Sequence, residues 1–244
     1  MLQKEFLFYC VNNILLHKIY MKNQNQDIIN YVDGVYKGTY LVNNVCPDDK
    51  IVKKRIKNGK GTMEYKNGDF YDGYWEYGRK HGKGIMKYAN GDFYNGEWNY
   101  NHKSGRGIMR YANGDIYEGE WFMGSYERGT TRFNNGNVYT GEYFIENSSP
   151  KNGIMVYVNG DVYTGEWVKN LRHGQGTMSY KNGDIYVGKW KKNLRHGQGT
   201  MSYKNGDIYE GEWLNNKRKN SKKKYFSKRK KSSNSNAKSK KNNK

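Results

Sequence analysis

Three histidines stand at one position of a recurring pattern, where His81, His173 and His196 each precede a glycine. Imidazole nitrogens are common metal ligands, and a metal site needs several ligands that converge on one ion. Equivalent residues of successive repeats lie at least one repeat apart, so these side chains cannot converge. The pattern therefore predicts a role in turns for the three histidines, and it predicts no metal site.

Carboxylates recur in the same way, and both Asp92 and Glu97 have counterparts in other units. General acid–base catalysis needs two carboxyl groups in different environments, whereas each unit offers the same environment again. The sequence also lacks a nucleophile elbow, a phosphate-binding loop and a CxxC pair. We therefore predict no catalytic residues, no cofactor, and a protein that is not an enzyme.

The pattern has a period of 23 residues, because the stretch NLRHGQGTMSYKNGDIY at 170–186 returns unchanged at 193–209. A tyrosine, a glycine two residues later and a tryptophan two further recur with this period, and all 6 tryptophans fall in that position. Such a period is typical of stacked repeats that supply one another's core. The predicted repeat core is Tyr71, Gly73, Trp75, Tyr94, Gly96, Trp98, Tyr117, Gly119, Trp121, Tyr163, Gly165, Trp167, Tyr186, Gly188, Trp190, Tyr209, Gly211 and Trp213.

The repeat positions divide the chain into three parts. Residues 1–35 form an N-terminal segment, residues 36–214 form an array of about eight units, and residues 215–244 form a lysine-rich tail. The first unit is longer than the others, which indicates an insertion at 41–57 with a basic loop at 50–57. Pro47 and Pro150 fall where the period is broken, as expected if neither proline sits in a paired strand.

One unit predicts a β-hairpin. Residues 92–98 form a strand in which Tyr94, Gly96 and Trp98 share a face, residues 82–88 form its partner, and Asn90-Gly91 supplies the turn. A two-residue loop would place Lys83, Ile85 and Lys87 on the tryptophan face. A three-residue loop with a left-handed Gly91 would instead place Gly82, Gly84, Met86 and Tyr88 there and set Lys83 opposite Glu97. We favour the second register because it gives a coherent core.

The composition limits the kind of core. Mean hydropathy is -1.12 and 16% of residues are aromatic, including 24 tyrosines, so the core must consist of amphipathic rings rather than a thick aliphatic layer. Two cysteines make no disulfide framework and indicate free thiols in the cytosol. We predict an all-β fold: an elongated single-layer ribbon of consecutive antiparallel β-hairpins, with a short N-terminal helix or strand and a disordered C-terminal tail.

The segment YNGEW at Tyr94 and the segment HGKG at His81–Gly84 resemble the MORN repeat, whose pattern is YxGxWxxGxxHGxGxxxxxxGxx. The resemblance covers most of residues 36–214. It implies a rod of β-hairpins and the roles of that family, which are membrane attachment, oligomer assembly and scaffolding, including protist cytoskeletal scaffolds. The histidine is missing at Asn58, at Ser104 and in the unit from Tyr117, and Tyr40 and Tyr143 replace tryptophan.

The net charge of +20 is concentrated in the tail. A block of one charge sign is typical of a solvated, disordered extension. Two functional interpretations compete with this one: adhesion to an anionic membrane, at ~1 kcal/mol per nearby lysine or arginine, and a nuclear localisation signal. Only Tyr225 and Phe226 are aromatic there, so specific nucleic-acid binding is not expected. The predicted anionic-surface residues are Lys53, Lys54, Arg55, Lys217, Arg218, Lys219, Lys222, Lys223, Lys224, Lys228, Arg229, Lys230 and Lys231.

Residues 1–21 contain apolar side chains at helical spacing, but Asn12 and Asn13 interrupt them. The stretch is too short and too broken to span a bilayer. It predicts a short helix or strand that caps the first repeat, with a signal-peptide core or a membrane-surface helix as alternatives.

These observations together predict a non-catalytic scaffold for protein–protein interaction or self-assembly at membrane–cytoskeleton sites. A single sheet exposes one face, so the aromatic face is expected to be covered by an unidentified protein partner or by a second copy. The alternative is a peripheral membrane protein that binds anionic phospholipid or phosphoinositide through its tail and basic loop. The expected location is cytoplasmic, with peripheral membrane or cytoskeletal attachment, and nuclear entry through the tail as an open alternative.

Overall fold

The computed structural model describes residues 21–45 and 52–219, with side chains described for residues 27–42 and 54–219. Every regular element in these ranges is a β-strand, which confirms the prediction of an all-β fold. No helix in the described ranges is long and apolar enough to cross a membrane. The predictions for residues 1–20, for Pro47 and for residues 220–244 lie outside the described residues.

The described residues contain seventeen strands, which form an open sheet of consecutive antiparallel hairpins. In chain order they are β1 Met21–Tyr31, β2 Gly34–Val45, β3 Val52–Tyr65, β4 Phe70–Glu76, β5 Arg79–Lys87, β6 Phe93–Asn99, β7 His102–Arg110, β8 Ile116–Phe122, β9 Ser125–Arg132, β10 Val138–Phe144, β11 Ser149–Val156, β12 Val162–Val168, β13 Leu171–Ser179, β14 Ile185–Lys191, β15 Leu194–Ser202, β16 Ile208–Leu214 and β17 Lys217–Arg218.

The chain divides into two compact units. The first unit contains the described residues up to Val158 together with Trp167–Asn170, and the second contains Asn159–Glu166 and the described residues from Leu171 onward. In the first unit, β1 pairs with β2 and so extends the paired strands towards the N-terminus. In the second unit, β17 pairs with the end of β16.

The hairpin register is the one with a three-residue loop, as predicted. Lys83 lies opposite Glu97 and Gly82 lies opposite Trp98, while the amide of Tyr88 donates to the carbonyl of Asp92 over 2.9 Å. Gly91 has φ of 92°, the left-handed conformation that the loop requires. The other predicted cross-strand partners are also observed: Arg106 with Glu120, Arg128 with Glu142 and Gln175 with Lys189.

The pairing between successive hairpins contains a bulge. In β6 and β7, Gly96 pairs with Gly107, but the next pair joins Trp98 to Lys103, so the register shifts between the two pairs. A bulge of this kind bends the strand and re-aims the side chains next to it. It sets each tryptophan opposite the residue five positions later in the sequence.

The described residues of the insertion, 41–45 and 52–57, are paired strand, whereas a loop was predicted at 50–57. Residues 52–57 belong to β3, where Ile56 pairs with Leu41 and Val52 pairs with Val45. Val52 and Ile56 are β-branched, which favours a strand, and the insertion lengthens the pairing of β2 with β3. Lys54 and Arg55 therefore project from a strand.

Pro150 also differs from expectation, because it lies within β11 and pairs with Tyr143. The register shifts between Glu142 and Tyr143 at this point. A bulge is one of the few places where a strand tolerates proline, because a ladder hydrogen bond from that residue is not needed there. The broken period thus marks an irregular strand and not an unpaired segment.

The core of both units is a column of tyrosine, tryptophan and methionine side chains. Tyr94 is 0% exposed and Trp98 is 4% exposed, and their rings meet edge to face with 5.1 Å between centroids. A Cβ added at Gly107 would lie 2.4 Å from the hydroxyl oxygen of Tyr94. Glycine is therefore required there because a ring lies directly over the backbone.

Candidate interaction surface

A row of three lysines lies over the aromatic column of the first unit. Lys57, Lys80 and Lys103 occupy β3, β5 and β7 at intervals of one repeat, and we call them the lysine ladder. Each lysine is brought over the rings by the bulge between successive hairpins, which pairs Trp75 with Lys80 and Trp98 with Lys103.

Each ladder ammonium lies over the tryptophan on the partner strand of its own hairpin, which belongs to the following repeat. The Nζ atom lies 4.5 Å from the ring centroid of Trp75 for Lys57, 4.7 Å from that of Trp98 for Lys80, and 4.9 Å from that of Trp121 for Lys103. These distances are within the range of cation–π attraction, which contributes about 0.5–2 kcal/mol. Tyrosine rings complete the surroundings: Tyr31 for Lys57, Tyr65 and Tyr71 for Lys80, and Tyr88 and Tyr94 for Lys103.

The ladder ammonium groups are partly desolvated. Burial lowers the pKa of Lys57, Lys80 and Lys103, and the pKa of Lys103 falls to about 8. Among the described residues, no carboxylate lies within 4.0 Å of a ladder ammonium. For Lys57 and Lys103 the nearest polar contact is a methionine sulfur, at 3.7 and 3.6 Å. Asp33, Asp69 and Asp92 act on Lys57, Lys80 and Lys103 at longer range and raise the pKa of each, but by less than burial lowers it.

The second unit places arginine at the equivalent positions. The guanidinium carbons of Arg172 and Arg195 lie 4.7 Å from the ring centroid of Trp190 and 4.5 Å from that of Trp213. Both arginines also donate to an asparagine in the next turn, Arg172 to the carbonyl of Asn193 and Arg195 to that of Asn216. Arg218 continues the row over Tyr209, at 4.6 Å.

The row of cations is interrupted in β9 and β11, where Tyr126 and Pro150 take the equivalent positions. The Tyr126 ring stacks on Tyr117 with 3.7 Å between centroids and 7° between planes, and the hydroxyls of Tyr126 and Tyr111 form a hydrogen bond. Burial raises the pKa of Tyr126. The lysine ladder therefore ends at Lys103.

The aromatic face does not need a partner to cover it, contrary to the expectation from a single-layer sheet. Tyr71, Tyr94 and Tyr186 are 0% exposed, and Trp75 and Trp190 are each 4% exposed, within the chain alone. Neighbouring rings and the long stems of lysine and arginine cover the column, since these side chains bury their methylene groups and keep the charged head outermost. The groups left exposed on this face are the charged ends of the lysines and arginines and the edges of the tyrosine rings that flank them, such as Tyr65 and Tyr88.

His81, His173 and His196 lie in strands β5, β13 and β15 and not in the predicted turns, because the strand continues through the bulge between hairpins, as the pairing of His81 shows. His81 Nδ1 lies 3.4 Å from a carboxylate oxygen of Glu76, and no group of three residues able to hold a metal ion occurs in residues 21–45 and 52–219. An oxygen of Asp92 accepts a hydrogen bond of 2.8 Å from the amide of Ala112 in the next turn. Glu97 accepts one of 3.3 Å from the amide of Arg106.

The predicted anionic-surface residues are scattered. Lys54 and Arg55 are exposed on β3, and Arg55 lies over the ring of Tyr40 at 5.3 Å. Lys217 and Arg218 form β17, and Lys219 pairs with Glu212 at 3.2 Å. The side chain of Lys53 and the residues from Lys222 onward lie outside the described part. Lys54 and Arg55 belong to the first unit, whereas Lys217, Arg218 and Lys219 belong to the second unit.

The opposite face of the first unit has alternating charges. A shallow depression of about 470 Å³ is lined there by side chains that include Arg106, Glu118, Glu120 and Arg128. Arg128 and Glu142 form an exposed ion pair at 3.5 Å. Because acids and bases alternate, this face has no strong preference for one charge sign, in contrast to the lysine ladder.

Sequence reasoning missed the ladder, although a signal for it is present. The residue five positions after tryptophan is Lys80, Lys103, Arg172, Arg195 or Arg218 in five repeats, and only Trp121 is followed at that distance by an uncharged residue, Tyr126. In an isolated sequence such residues are indistinguishable from ordinary surface charge. The bulge that turns them over the rings is visible only in the strand pairing.

The repeats match a known family, and the fold has similarities among solved structures. The family model of the MORN repeat matches residues 56–70, 71–93, 94–116, 163–185, 186–208 and 209–219. No curated protein matches the chain.

Three solved structures share coarse similarity with the chain. The TCP domain of Drosophila melanogaster SAS-4 in complex with a proline-rich motif of Ana2 is 13% identical, with a TM-score of 0.39 over 69% of this chain and 88% of that one. The TCP10 domain of Danio rerio CPAP in complex with a STIL peptide is 11% identical, with a TM-score of 0.41 over 77% and 84%. The CPAP G-box domain is 10% identical, with a TM-score of 0.42 over 77% and 93%.

On the strength of its six matched repeats, the chain belongs to the MORN-repeat proteins.

Proposed function

We propose that the protein is a non-catalytic scaffold whose repeat array binds a protein partner. The observation that supports this proposal is the lysine ladder, in which the same cation recurs on the same aromatic support from repeat to repeat. A surface of this kind suits an elongated ligand that crosses several strands, since each repeat offers the ligand an equivalent contact. A reaction centre would instead need several different groups that converge on one point.

The location we propose for the scaffold is the cytoplasm, at sites where membrane and cytoskeleton meet. This part of the proposal follows from the roles of the MORN family. A tagged copy expressed with and without residues 217–244 tests it. Peripheral enrichment of the full chain is the expected result, and a diffuse distribution of both forms would contradict it.

Capture and identification of binding proteins test the scaffold function directly. The immobilised full chain should retain specific proteins, and light scattering at micromolar concentration should report whether a second copy is one of them. A chain that stays strictly monomeric and recovers no partner would remove the basis of the proposal. Binding through a surface other than the ladder would leave the scaffold function intact.

Binding to an anionic membrane is a second candidate function, supported by the single-sign charge of the tail. Sedimentation with vesicles that contain anionic lipid should fall steeply with salt, because exposed charges are screened within about 10 Å at 0.1 M ionic strength. Deletion of residues 217–244 should abolish most of the binding. Equal binding to neutral vesicles would contradict the electrostatic mechanism.

A further inference from the structure

Among the described residues, the ladder ammonium groups have aromatic contacts but no carboxylate within 4.0 Å, and the nearest acids act on them only at longer range. Lys57 is only 9% exposed, and Lys80 and Lys103 are half-buried. A partly desolvated charge without a counter-ion is unfavourable, and an anion placed beside it recovers part of that cost. The arginines of the second unit differ, because asparagine carbonyls in the next turns accept their hydrogen bonds.

The spacing of the ladder restricts the anion that fits it. Successive ladder residues lie two strands apart, which corresponds to about 9.6 Å at the usual strand spacing of ~4.8 Å. Lys57 is nearly buried, so a ligand reaches mainly Lys80 and Lys103. The anionic groups of the ligand must therefore repeat at about this distance along a line that crosses the strands.

An extended polypeptide meets this requirement with an acid at every third residue. A polyproline II conformation rises about 3.1 Å per residue with three residues per turn, so residues i and i+3 share a face at about 9.3 Å. A β-strand puts residues i and i+2 on one face at only about 6.6 Å. In an α-helix, residues i and i+4 share a face at only about 6 Å, and residues i and i+7 share it at about 10.5 Å.

We propose that the lysine ladder binds an extended acidic segment of a partner protein, with carboxylates three residues apart that pair with Lys80 and Lys103. The half-buried rings of Tyr65 and Tyr88 flank Lys80 and Lys103, with 5.8 and 5.3 Å from the ammonium to the ring centroid. They offer flat apolar surface to the residues between the acids. This inference rests on the proposed scaffold function, for which it names the chemistry of the partner.

Fluorescence anisotropy with the full chain and labelled synthetic peptides tests the inference. The first peptide has glutamate at every third position in a background of serine and proline. Two further peptides have the same composition with glutamate at every second or every seventh position. We expect the three-residue spacing to bind tightest, by about fivefold to tenfold, which is the effect of one hydrogen bond of ordinary strength. Equal affinity for all three peptides, or preference for another spacing, would overturn the proposal.

Two sets of variants assign the binding to the ladder. Lys80→Gln and Lys103→Gln should each weaken the first peptide about fivefold or more, whereas Lys103→Arg should keep most of the affinity. The matched control is Lys83→Gln with Lys87→Gln, which removes two charges from β5 where Lys83 pairs with Glu97 and Lys87 with Phe93. Thermal unfolding of each variant checks that it is folded, and loss of binding in the control to the same degree would show non-specific attraction.

Three other results would overturn the inference that the ladder binds an acidic peptide. If no peptide binds, the ladder is not a peptide surface and the inference falls. The inference also falls if anionic lipid vesicles bind through Lys80 and Lys103 while the peptides do not bind. If the full chain captures a protein whose binding is unchanged in Lys80→Gln and Lys103→Gln, the inference also falls, but the scaffold function stands. Failure of the two proposals is therefore distinguishable.

Discussion

The ammonium of Lys80 lies 4.7 Å from the ring centroid of Trp98, which is on the partner strand of the same hairpin and belongs to the following repeat. The lysine of one repeat thus covers the core residue of the next. Trp98 is in turn packed between Tyr71 of the preceding hairpin and Tyr94 of its own strand, with centroid distances of 5.5 and 5.1 Å. Contacts between repeats therefore contribute as much to this core as contacts within them.

Replacement of Trp98 by alanine should lower the free energy of unfolding by about 3–5 kcal/mol, because the ring is buried and contacts tyrosines on both sides. Trp98→Phe keeps an aromatic ring and loses the hydrogen bond from Nε1 to the carbonyl of Gly84, so a smaller loss is expected. Urea unfolding monitored by circular dichroism measures both. A loss below about 1 kcal/mol for the alanine variant would show that the tryptophan column is not the core.

Replacement of Gly107 by alanine should destabilise the protein by about 2–3 kcal/mol, because the new methyl group would meet the Tyr94 ring at 2.4–2.7 Å. Gly124→Ala is the matched control, since no atom lies within 4 Å of its added Cβ and its φ of 90° is the only obstacle. An alanine at this positive φ should lower the free energy of unfolding by about 1 kcal/mol. Equal losses in the two variants would contradict the close approach of ring and backbone.

Replacement of Asp92 by alanine should destabilise the protein by about 1 kcal/mol, because the carboxylate joins its own turn to the amide of Ala112 in the next. Asp92→Asn should be milder, because Asn137 already performs this role for the amide of Val158 at 3.0 Å. Thermal unfolding at fixed pH compares the two. If both variants lose the same stability, the charge and not the link between turns is what matters.

The pH dependence of stability should report the desolvated Lys103. Its pKa in the folded protein is about 8, against 10.5 for an ordinary lysine, so between these values the unfolded chain binds more protons. Stability should therefore rise as pH increases from about 8 towards 10. Above pH 10 it should fall again, because burial raises the pKa of tyrosines such as Tyr88 to about 12 and only the unfolded chain then loses these protons.

Denaturant unfolding at intervals of pH measures this profile. Lys103→Gln should flatten the rise between pH 8 and 10 and leave the fall above pH 10 unchanged. A parent protein whose stability is constant from pH 8 to 10 would contradict the desolvation of Lys103. Burial is the largest cause of the lowered pKa of Lys103, and the smaller effects of Asp92, which raises it, and Lys80, which lowers it, oppose each other.

The hairpin register was predictable from sequence because local rules agreed with one another. Gly91 supplies the positive φ that a three-residue loop needs, and that loop alone places Met86 with Tyr94 and Trp98. The lysine ladder was not predictable, because the position of Lys80 depends on a bulge between hairpins and not on any turn. The paired insertion was missed for a related reason: residues 41–57 have no period to reveal the partner of Ile56.

The central claim is that lysines of the first unit close over the tryptophans. Nuclear magnetic resonance of the lysine side chains tests it most directly, because protons held over an aromatic ring resonate upfield of those in solvent. We predict upfield ε-methylene signals for Lys80 and Lys103, loss of the Lys80 shift in Trp98→Leu, and ordinary values for Lys83. Ordinary values for Lys80 and Lys103 as well would show that these side chains extend into solvent, and the account of this surface would be wrong.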